Sequence, residues 1–584
     1  MAGKTYGSDV IADLLRGYGI KYVSLNPGST FRGLHDSLVN YAGNDPEMIQ
    51  CTHEEVAVGI AHGYAKATGE PMAAIVHDVV GLLHASMAVY YAYIDRAPVL
   101  LLGATGPMDV GRRRPYIDWI HTALPQGEAV RRFTRWDYQP VGLSDTIDSF
   151  ARAYRVATTD PQGPVYLCYD AGFQEDEVDP AEVAALGGTG FREAVARPTR
   201  LHGDPEALGR VARLLVDADN PVFVTSYVGR RPEGVAALVE LAEFLGAPVV
   251  DRGERLCFPT NHPLAAHGRA PEVLADADLV VALDVRHLNK VVATLDSTTR
   301  RTTSQLPPGC VIVEIGLGDL GINAWTQEGG PVQDVALSVL ADTATAIPEI
   351  TRRCRELAGQ EAAARFSRRA EVHAGRHAGA RARWREEALA AAGQRPVATS
   401  CFVHEVGEAV KDADWVLTAN TVSGWAKRLW DFDRPDRHPG ESLGTATQIG
   451  ISLGVALAYR GTGRLVVDIQ PDGDLLFDAA ALWTAAYHKI PILVVMYNNR
   501  AYYNDWEHQI RVARQRGRDE AMAYLGMELD KPAPDFAGLA RSFGWYGIGP
   551  IETAGEVGPA VRKARDIVLS EGRPALVDVV TQYR

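Results

Sequence analysis

The chain has 584 residues, too many for one hydrophobic core, and length alone predicts three or four domains. Its 46% hydrophobic and 23% charged content is that of an ordinary soluble globular protein, and a net charge of −14 argues against a nucleic-acid partner, which would require a basic face. No apolar run reaches the roughly 20 residues that span a bilayer, and the start MAGKTYGSDVIADLL lacks the regions of a signal peptide. Cys51, Cys168, Cys257, Cys310, Cys354 and Cys401 form no Cys-x-x-Cys pair, which fits free thiols in a reducing cytoplasm.

In chain order, Val10–Arg16 reads as an amphipathic helix and Tyr22–Leu25 as a strand, with the loop Asn26-Pro27-Gly28-Ser29 after it. Val56–Thr68 follows as a helix, then Ala73–His77, Pro98–Gly103 and Val165–Cys168 as strands. This alternation predicts a parallel α/β sheet in a first domain, 1–185. The stretch Glu175–Pro198 is acidic, then Gly-rich, and reads as a linker. A second α/β domain, 199–350, has strands Pro221–Thr225, Pro248–Val250, Leu279–Leu283 and Val311–Ile315. Residues 351–395 are charged and rich in Ala and Arg, the composition of a solvated connecting helix. A third α/β domain occupies 396–584.

Within the third domain the strand Arg464–Ile469 leads into Asp472-Gly473. An amphipathic stretch, Leu475–His488, and a second strand, Ile492–Tyr497, then lead into Asn498-Asn499. A carboxylate and an amide oxygen thus stand at the ends of two strands, where parallel sheets bind ligands. Such oxygens suit Mg²⁺ holding a diphosphate.

This pattern resembles the thiamine diphosphate (ThDP) motif. Upstream, His53-Glu54-Glu55 opens the helix that ends Gly63-Tyr64-Ala65, similar to the H-E-x-x-A-x-x-x-A-x-G-Y-A segment of the same enzymes. Asn26-Pro27-Gly28-Ser29, Gly163-Pro164-Val165, the run Phe258–Pro263, Ser442-Leu443-Gly444-Thr445 and the run Gly572–Val579 extend the resemblance. The chain looks like the pyruvate oxidase, acetolactate synthase and benzoylformate decarboxylase superfamily.

The resemblance implies three doubly wound parallel-sheet domains (pyrimidine-binding, central and diphosphate-binding). It implies a homodimer or homotetramer, with Glu54 of one chain facing the cofactor of another. Asp472, Asn499 and the Ala501 carbonyl would hold Mg²⁺. Further cofactor contacts are expected from Asn26, Gly28, Ser29, Thr421, Ser423, Thr445, Thr447, Gly473, Asp474 and Tyr502. Glu54 would be the carboxyl that exchanges a proton with the aminopyrimidine ring, a role that burial assists.

Two positions depart from the pattern. Pro471 stands where a Gly is usual, and Asp474 where a Ser is usual; Asp474 reads as an N-cap for the next helix. The bulky residue that bends the cofactor falls at Ala446 or Thr447, neither of which is large.

His77, His84 and Tyr502 are the acid–base candidates beside Glu54, and His262, Tyr503 and His508 are candidate substrate contacts. The run Arg500–His508 reads as a substrate lid. The expected reaction is carbon–carbon bond cleavage on a small molecule, with three substrate readings. One is a 2-hydroxyacyl-CoA lyase, with Arg112–Arg114 and Arg300-Arg301 near the CoA phosphates. Another is a 2-oxo acid decarboxylase of the benzoylformate type, and a third is an acetolactate-synthase-like carboligase. A non-catalytic ThDP-fold regulatory subunit is the alternative of another class.

Overall fold

The computed structural model describes residues 4–190, 198–253, 255–321, 332–418, 421–442 and 444–583. Leu443 of the Ser-Leu-Gly-Thr match and residues 191–197 of the expected linker therefore lie outside the described residues.

The first sheet contains β1 (Tyr22–Leu25), β2 (Glu47–Gln50), β3 (Met72–Val76), β4 (Val99–Thr105), β5 (Trp136–Tyr138) and β6 (Val165–Asp170). Its order is β2-β1-β3-β4-β6-β5, with every pairing parallel. The central sheet contains β7 (Pro221–Thr225), β8 (Val249–Asp251), β9 (Leu279–Leu283), β10 (Val311–Gly316) and β11 (Leu337–Leu340), in the order β8-β7-β9-β10-β11 and again parallel. The third contains β12 (Trp415–Thr418), β13 (Leu465–Pro471), β14 (Leu493–Asn498), β15 (Tyr546–Ile551) and β16 (Ala575–Val580), in the order β12-β13-β14-β16-β15 and parallel. The inner strands are short, largely apolar and buried, as sheets covered on both faces require, while edge strands such as β5 and β15 are half-buried.

The outer sheets face one another through two helices, α1 (Glu54–Thr68) and α4 (Gln448–Ala458), which share one core. Between them in chain order lie α2 (Asp78–Ile94) and the long α3 (Gln360–Ala390). Small residues set the approach of α1 to α4. A Cβ on Gly63 would sit 1.9 Å from the Ile451 carbonyl oxygen, and one on Gly454 would sit 2.1 Å from that of Ile60. The two backbones therefore touch, and only glycine fits. Arg460 pairs with Glu47, and the Gln50 N–H donates to His488 Nε2 (2.7 Å), tying the same two domains together.

Three expectations change. Leu475–His488 is not one amphipathic helix. It is α5 (Asp472–Phe477) and a separate helix, Ala481–Tyr487, because the chain turns at Asp478–Ala480. The connecting segment is also two helices. Thr343–Leu357 buries Ile347, Ile350 and Cys354 in the central core, and only α3 bridges onward. The stretch expected as a linker begins in structure, since Glu177–Val178 pairs with Thr5–Tyr6 and Pro180–Ala185 is helical under an Asp179 cap. Among the described residues, no helix is long and apolar enough to cross a membrane.

Candidate functional site

The carboxyl ends of β2, β1, β3 and β4 deliver in turn Glu54, Asn26, His77 and the loop that reaches His121. Because these strands are neighbours, their exits are neighbours too. Glu54 is 4% exposed at the start of α1. Asn26 Nδ2 donates to its Oε1 (3.2 Å), and His84 Nδ1 lies 3.2 Å from its Oε2. The His53 ring stacks on His84 at 5.0 Å. Its Nδ1 accepts the Glu55 N–H (3.2 Å), so His53, and not an acid, caps α1.

His77 is fixed on two sides. Its Nδ1 lies 3.0 Å from Thr30 Oγ1, and its Nε2 lies 3.3 Å from His121 Nδ1. Burial, and then the neighbouring His121, lower its pKa. Gly28 backs directly onto it, since a Cβ there would sit 2.3 Å from the His77 Cβ. The next residue, Asp78, has φ +47° and no exposed surface. Thr122 Oγ1 donates to its Oδ2 (3.1 Å), and burial pushes its carboxyl up to about 7. Ser29 is exposed beside these groups in a shallow depression with Arg32 and His35.

The second half rises from β13 and β14. Asp472 opens α5, is 3% exposed, and accepts the Gly473 N–H (2.9 Å). Backbone N–H groups of Arg500 and Ala501 approach the carboxylate, yet Oδ2 has no hydrogen-bond partner, and burial raises its pKa to about 6. Asn499 Oδ1 accepts the Ala501 N–H (3.1 Å) and keeps a second lone pair. A buried carboxylate with a bare oxygen, an amide oxygen and a nearby carbonyl form an all-oxygen donor set. It fits the expected Mg²⁺. Pro471, at φ −73°, ends β13 without strain, so proline is compatible with this edge.

Asp474 is not a helix N-cap: it lies inside α5, whose N-cap is Pro471. Its carboxylate instead accepts the Ala446 N–H (2.5 Å) and the Gln470 side-chain amide (3.0 Å). Ala446 sits at φ +69°, a conformation costly for alanine, and Asp474 holds it there. Thr447 caps α4 and donates to the Gly444 carbonyl (3.0 Å), while Thr445 is exposed. The Tyr502 ring packs on Gly473, where a Cβ would lie 2.5 Å from it.

The halves adjoin within one chain. Ligand atoms of His53 and Glu55 lie within 4.8 Å of one from Asp478, just past α5. Burial, then Asp478 and Asp474, raise Glu55 to about 7, and burial with Asp474 raises Asp478 to about 6. The Tyr91 ring meets Gly444 across the same seam.

Other expected residues lie apart. His262 sits 3.1 Å from Glu243 Oε1, accepts the Leu264 N–H (3.1 Å) and meets Phe258 edge-on, all within the central domain. Its neighbours make it a structural histidine. Tyr503 opens α6 (Tyr503–Gln515) and stacks on Tyr583 at 4.3 Å. His508 is on the same helix and lines a cleft of about 270 Å³ with Arg511 and the central domain's Ser297, Thr298 and Arg300. Arg112, Arg113 and Arg114 are held by Asp176, the Pro107 carbonyl and Asp118, so none is free for a CoA phosphate. The Thr421 N–H donates to Ile469 (3.4 Å). Ser423 opens the helix Ser423–Leu429, and its side chain lies outside the described atoms.

Thr30, Asp78 and His121 were not foreseen. Thr30 adjoins the expected Ser29, and Asp78 adjoins the expected His77, so the two loops carried a signal. His121 stands in no motif, and only strand adjacency brings it in.

Two segments of the chain also match described families. Residues 5–117 match "Thiamine pyrophosphate enzyme, N-terminal TPP binding domain", and residues 419–579 match "Thiamine pyrophosphate enzyme, C-terminal TPP binding domain". The chain is 25% identical to the benzoylformate decarboxylase of Pseudomonas aeruginosa, covering 98% of each protein. It is 24% identical to a probable chloroplastic acetolactate synthase 2 of Oryza sativa subsp. japonica, covering 100% of this chain and 84% of that protein. In structure it is similar to a putative thiamin diphosphate-dependent enzyme from Mycobacterium smegmatis (TM-score 0.73, 22% identity, 100% of both chains). It is also similar to the benzoylformate decarboxylase from Polynucleobacter necessarius (TM-score 0.75, 18% identity, 99% of this chain and 98% of that one).

Proposed function

The chain belongs to the thiamine diphosphate-dependent enzyme superfamily and is of the acetolactate synthase and benzoylformate decarboxylase type, and we propose that it is a Mg²⁺-dependent carbon–carbon lyase acting beside a carbonyl. The observations that carry this reading are a buried Glu54, bonded by Asn26 and His84 at the edge of the first sheet, and the donor set Asp472, Asn499 and Ala501 at the edge of the third, which a second copy of the chain would bring together.

ThDP, when bound, supplies a carbanion that attacks carbonyls and holds the electrons of a broken C–C bond. The protein's part is binding and proton placement. Asp472, Asn499 and the Ala501 carbonyl would hold the cation. Glu54 would be the carboxyl that exchanges a proton with the aminopyrimidine ring. Asn26 and His84 fix its two oxygens, so the carboxyl keeps one orientation. Imidazoles around it serve the substrate oxygen.

For substrate we favour a 2-hydroxyacyl-CoA, cleaved to formyl-CoA and a ketone or aldehyde. Support comes from the cleft that Arg300 and His508 line between the central domain and α6, since arginine suits phosphate; Arg511 of the same cleft is paired with Glu507. The second reading is a 2-oxo acid decarboxylase, favoured by the end-to-end likeness to benzoylformate decarboxylase. A homodimer or homotetramer is part of the proposal. It is supported by exposed Tyr116, Trp119, Phe477 and Tyr487, large apolar residues that need cover.

The test is a panel of 2-hydroxyacyl-CoAs and 2-oxo acids with ThDP and Mg²⁺. Formyl-CoA release supports the favoured substrate. CO₂ release from benzoylformate without acyl-CoA turnover rejects it, and no cleavage of either class rejects the lyase.

A further inference from the structure

His121 stands on a short helix, Asp118–His121, in the loop after β4. The loop is pinned on both sides of it. Asp118 accepts the Arg114 N–H (2.6 Å) and guanidinium (2.9 Å). Thr122 Oγ1 accepts the Gly106 N–H (3.0 Å) and donates to Asp78. Two consecutive contacts therefore run in register, His77 with His121 and Asp78 with Thr122. The His77 and His121 rings meet edge to face at 5.1 Å and 88°.

Both nitrogens of His77 are engaged, Nδ1 by the buried Thr30 hydroxyl and Nε2 by His121. His77 is thus a poor direct donor to a substrate. His121 is half-buried and engages His77 through Nδ1, which leaves its Nε2 without a hydrogen-bond partner among the described residues. We propose that His121 is the catalytic acid that protonates the substrate oxygen, and that His77 is the residue that positions it and fixes its tautomer. The proposal rests on the thiamine lyase reading for the presence of such an oxygen.

The pair works with one extra proton. In that state His121 carries hydrogens on both nitrogens, Nδ1–H donates to His77 Nε2, and His77 Nδ1–H donates to Thr30 Oγ1. When the His121 Nε2–H bond breaks and an O–H bond forms on the substrate oxyanion, the pair goes from +1 to neutral. No other hydrogen moves, and solvent returns the proton. A second extra proton would place two N–H groups face to face, so the pair holds one. The other charged groups near His77 are Glu54, which favours the proton, and Arg114, which opposes it; Phe31 and Thr30 are neutral. Asp78 and Asp118 are the acids of the same loop contact.

The experiment compares wild type with His121→Gln, His121→Ala and His77→Asn. In the cofactor-free protein with ¹³C-labelled histidine, NMR should show His77 and His121 sharing one proton step. The His77 resonance should titrate at a different midpoint in His121→Gln. In the loaded enzyme, turnover in the His121 variants should fall roughly 100-fold, the scale of lost general acid catalysis. The loss of rate as pH rises past the shared step should vanish, while hydrogen exchange at the thiazolium C2 stays as in wild type. An unchanged His77 titration, or turnover within about twofold of wild type with the same pH profile, overturns the assignment. Absence of C2 exchange in the wild type overturns the thiamine reading instead, and the cofactor-free titration still decides the pair.

Discussion

The Asp474 carboxylate accepts the backbone N–H of Ala446 at 2.5 Å, joining α5 to the turn that starts α4. Burial raises the Asp474 pKa, and its carboxylate meets the backbone N–H groups of Ala446 and Gln448 and the Gln470 side-chain amide, so this acid beside the proposed diphosphate site is occupied structurally. Asp474→Ala leaves the Ala446 N–H without its acceptor and should cost about 1–3 kcal/mol. Asp474→Asn keeps an acceptor oxygen and should cost less. Urea unfolding of the three proteins checks the order; equal midpoints for Ala and wild type would remove Asp474 from this role.

Two helical glycines, one in the α1–α4 contact and one on open α3 surface, should respond in opposite ways to alanine. Gly63→Ala drives a Cβ into the Ile451 carbonyl and should destabilise at or above the upper end of the roughly 1–3 kcal/mol of overpacking. Gly375→Ala, in α3 with nothing within 4 Å of the new Cβ, should stabilise by roughly 0.5–1 kcal/mol through helix propensity. Thermal melts of both variants suffice, and a stable Gly63→Ala would mean the helices stand further apart.

Asp78 predicts a pH dependence of stability. Its folded pKa of about 7 lies above the unfolded value of about 3.9. Between those values the folded state binds the proton and the unfolded state does not, so stability from this group falls as pH rises from about 4 to about 7. Asp78→Asn is neutral throughout and tolerates the positive φ. It should match wild type near pH 4 and exceed it above pH 7 by on the order of 1–3 kcal/mol. Denaturation at the two pH values measures the crossover, and parallel curves would place an ionised Asp78 in the folded protein.

The elements that carry the candidate residues are legible in the sequence, for physical reasons. Asp472 and Asn499 lie close to their strands, and Glu54 opens a helix with an apolar period, so local pattern sufficed. The connectivity of α5 was harder, because Asp478–Ala480 breaks a stretch whose apolar spacing still suits a single helix. Local pattern suggests a cap at Asp474 because its partner, Ala446, lies 28 positions away in sequence. His121 was invisible for the same reason. Its link to His77 exists only because β3 and β4 are neighbours, and strand order is not written in local composition. His262 shows the converse, since a motif match placed it in the site and its contacts with Glu243 and Leu264 place it in the central domain.

The measurement that bears most directly on the central claim is hydrogen–deuterium exchange at C2 of bound thiamine diphosphate, in wild type and Glu54→Gln, with Mg²⁺ present and cofactor occupancy measured separately. Glutamine keeps the size and the Asn26 contact but cannot exchange a proton with the pyrimidine ring. Exchange should slow by roughly 100-fold or more while the cofactor stays bound. Equal exchange rates at equal occupancy would contradict Glu54 as the proton-exchanging carboxyl, and with it the mechanism proposed for this chain.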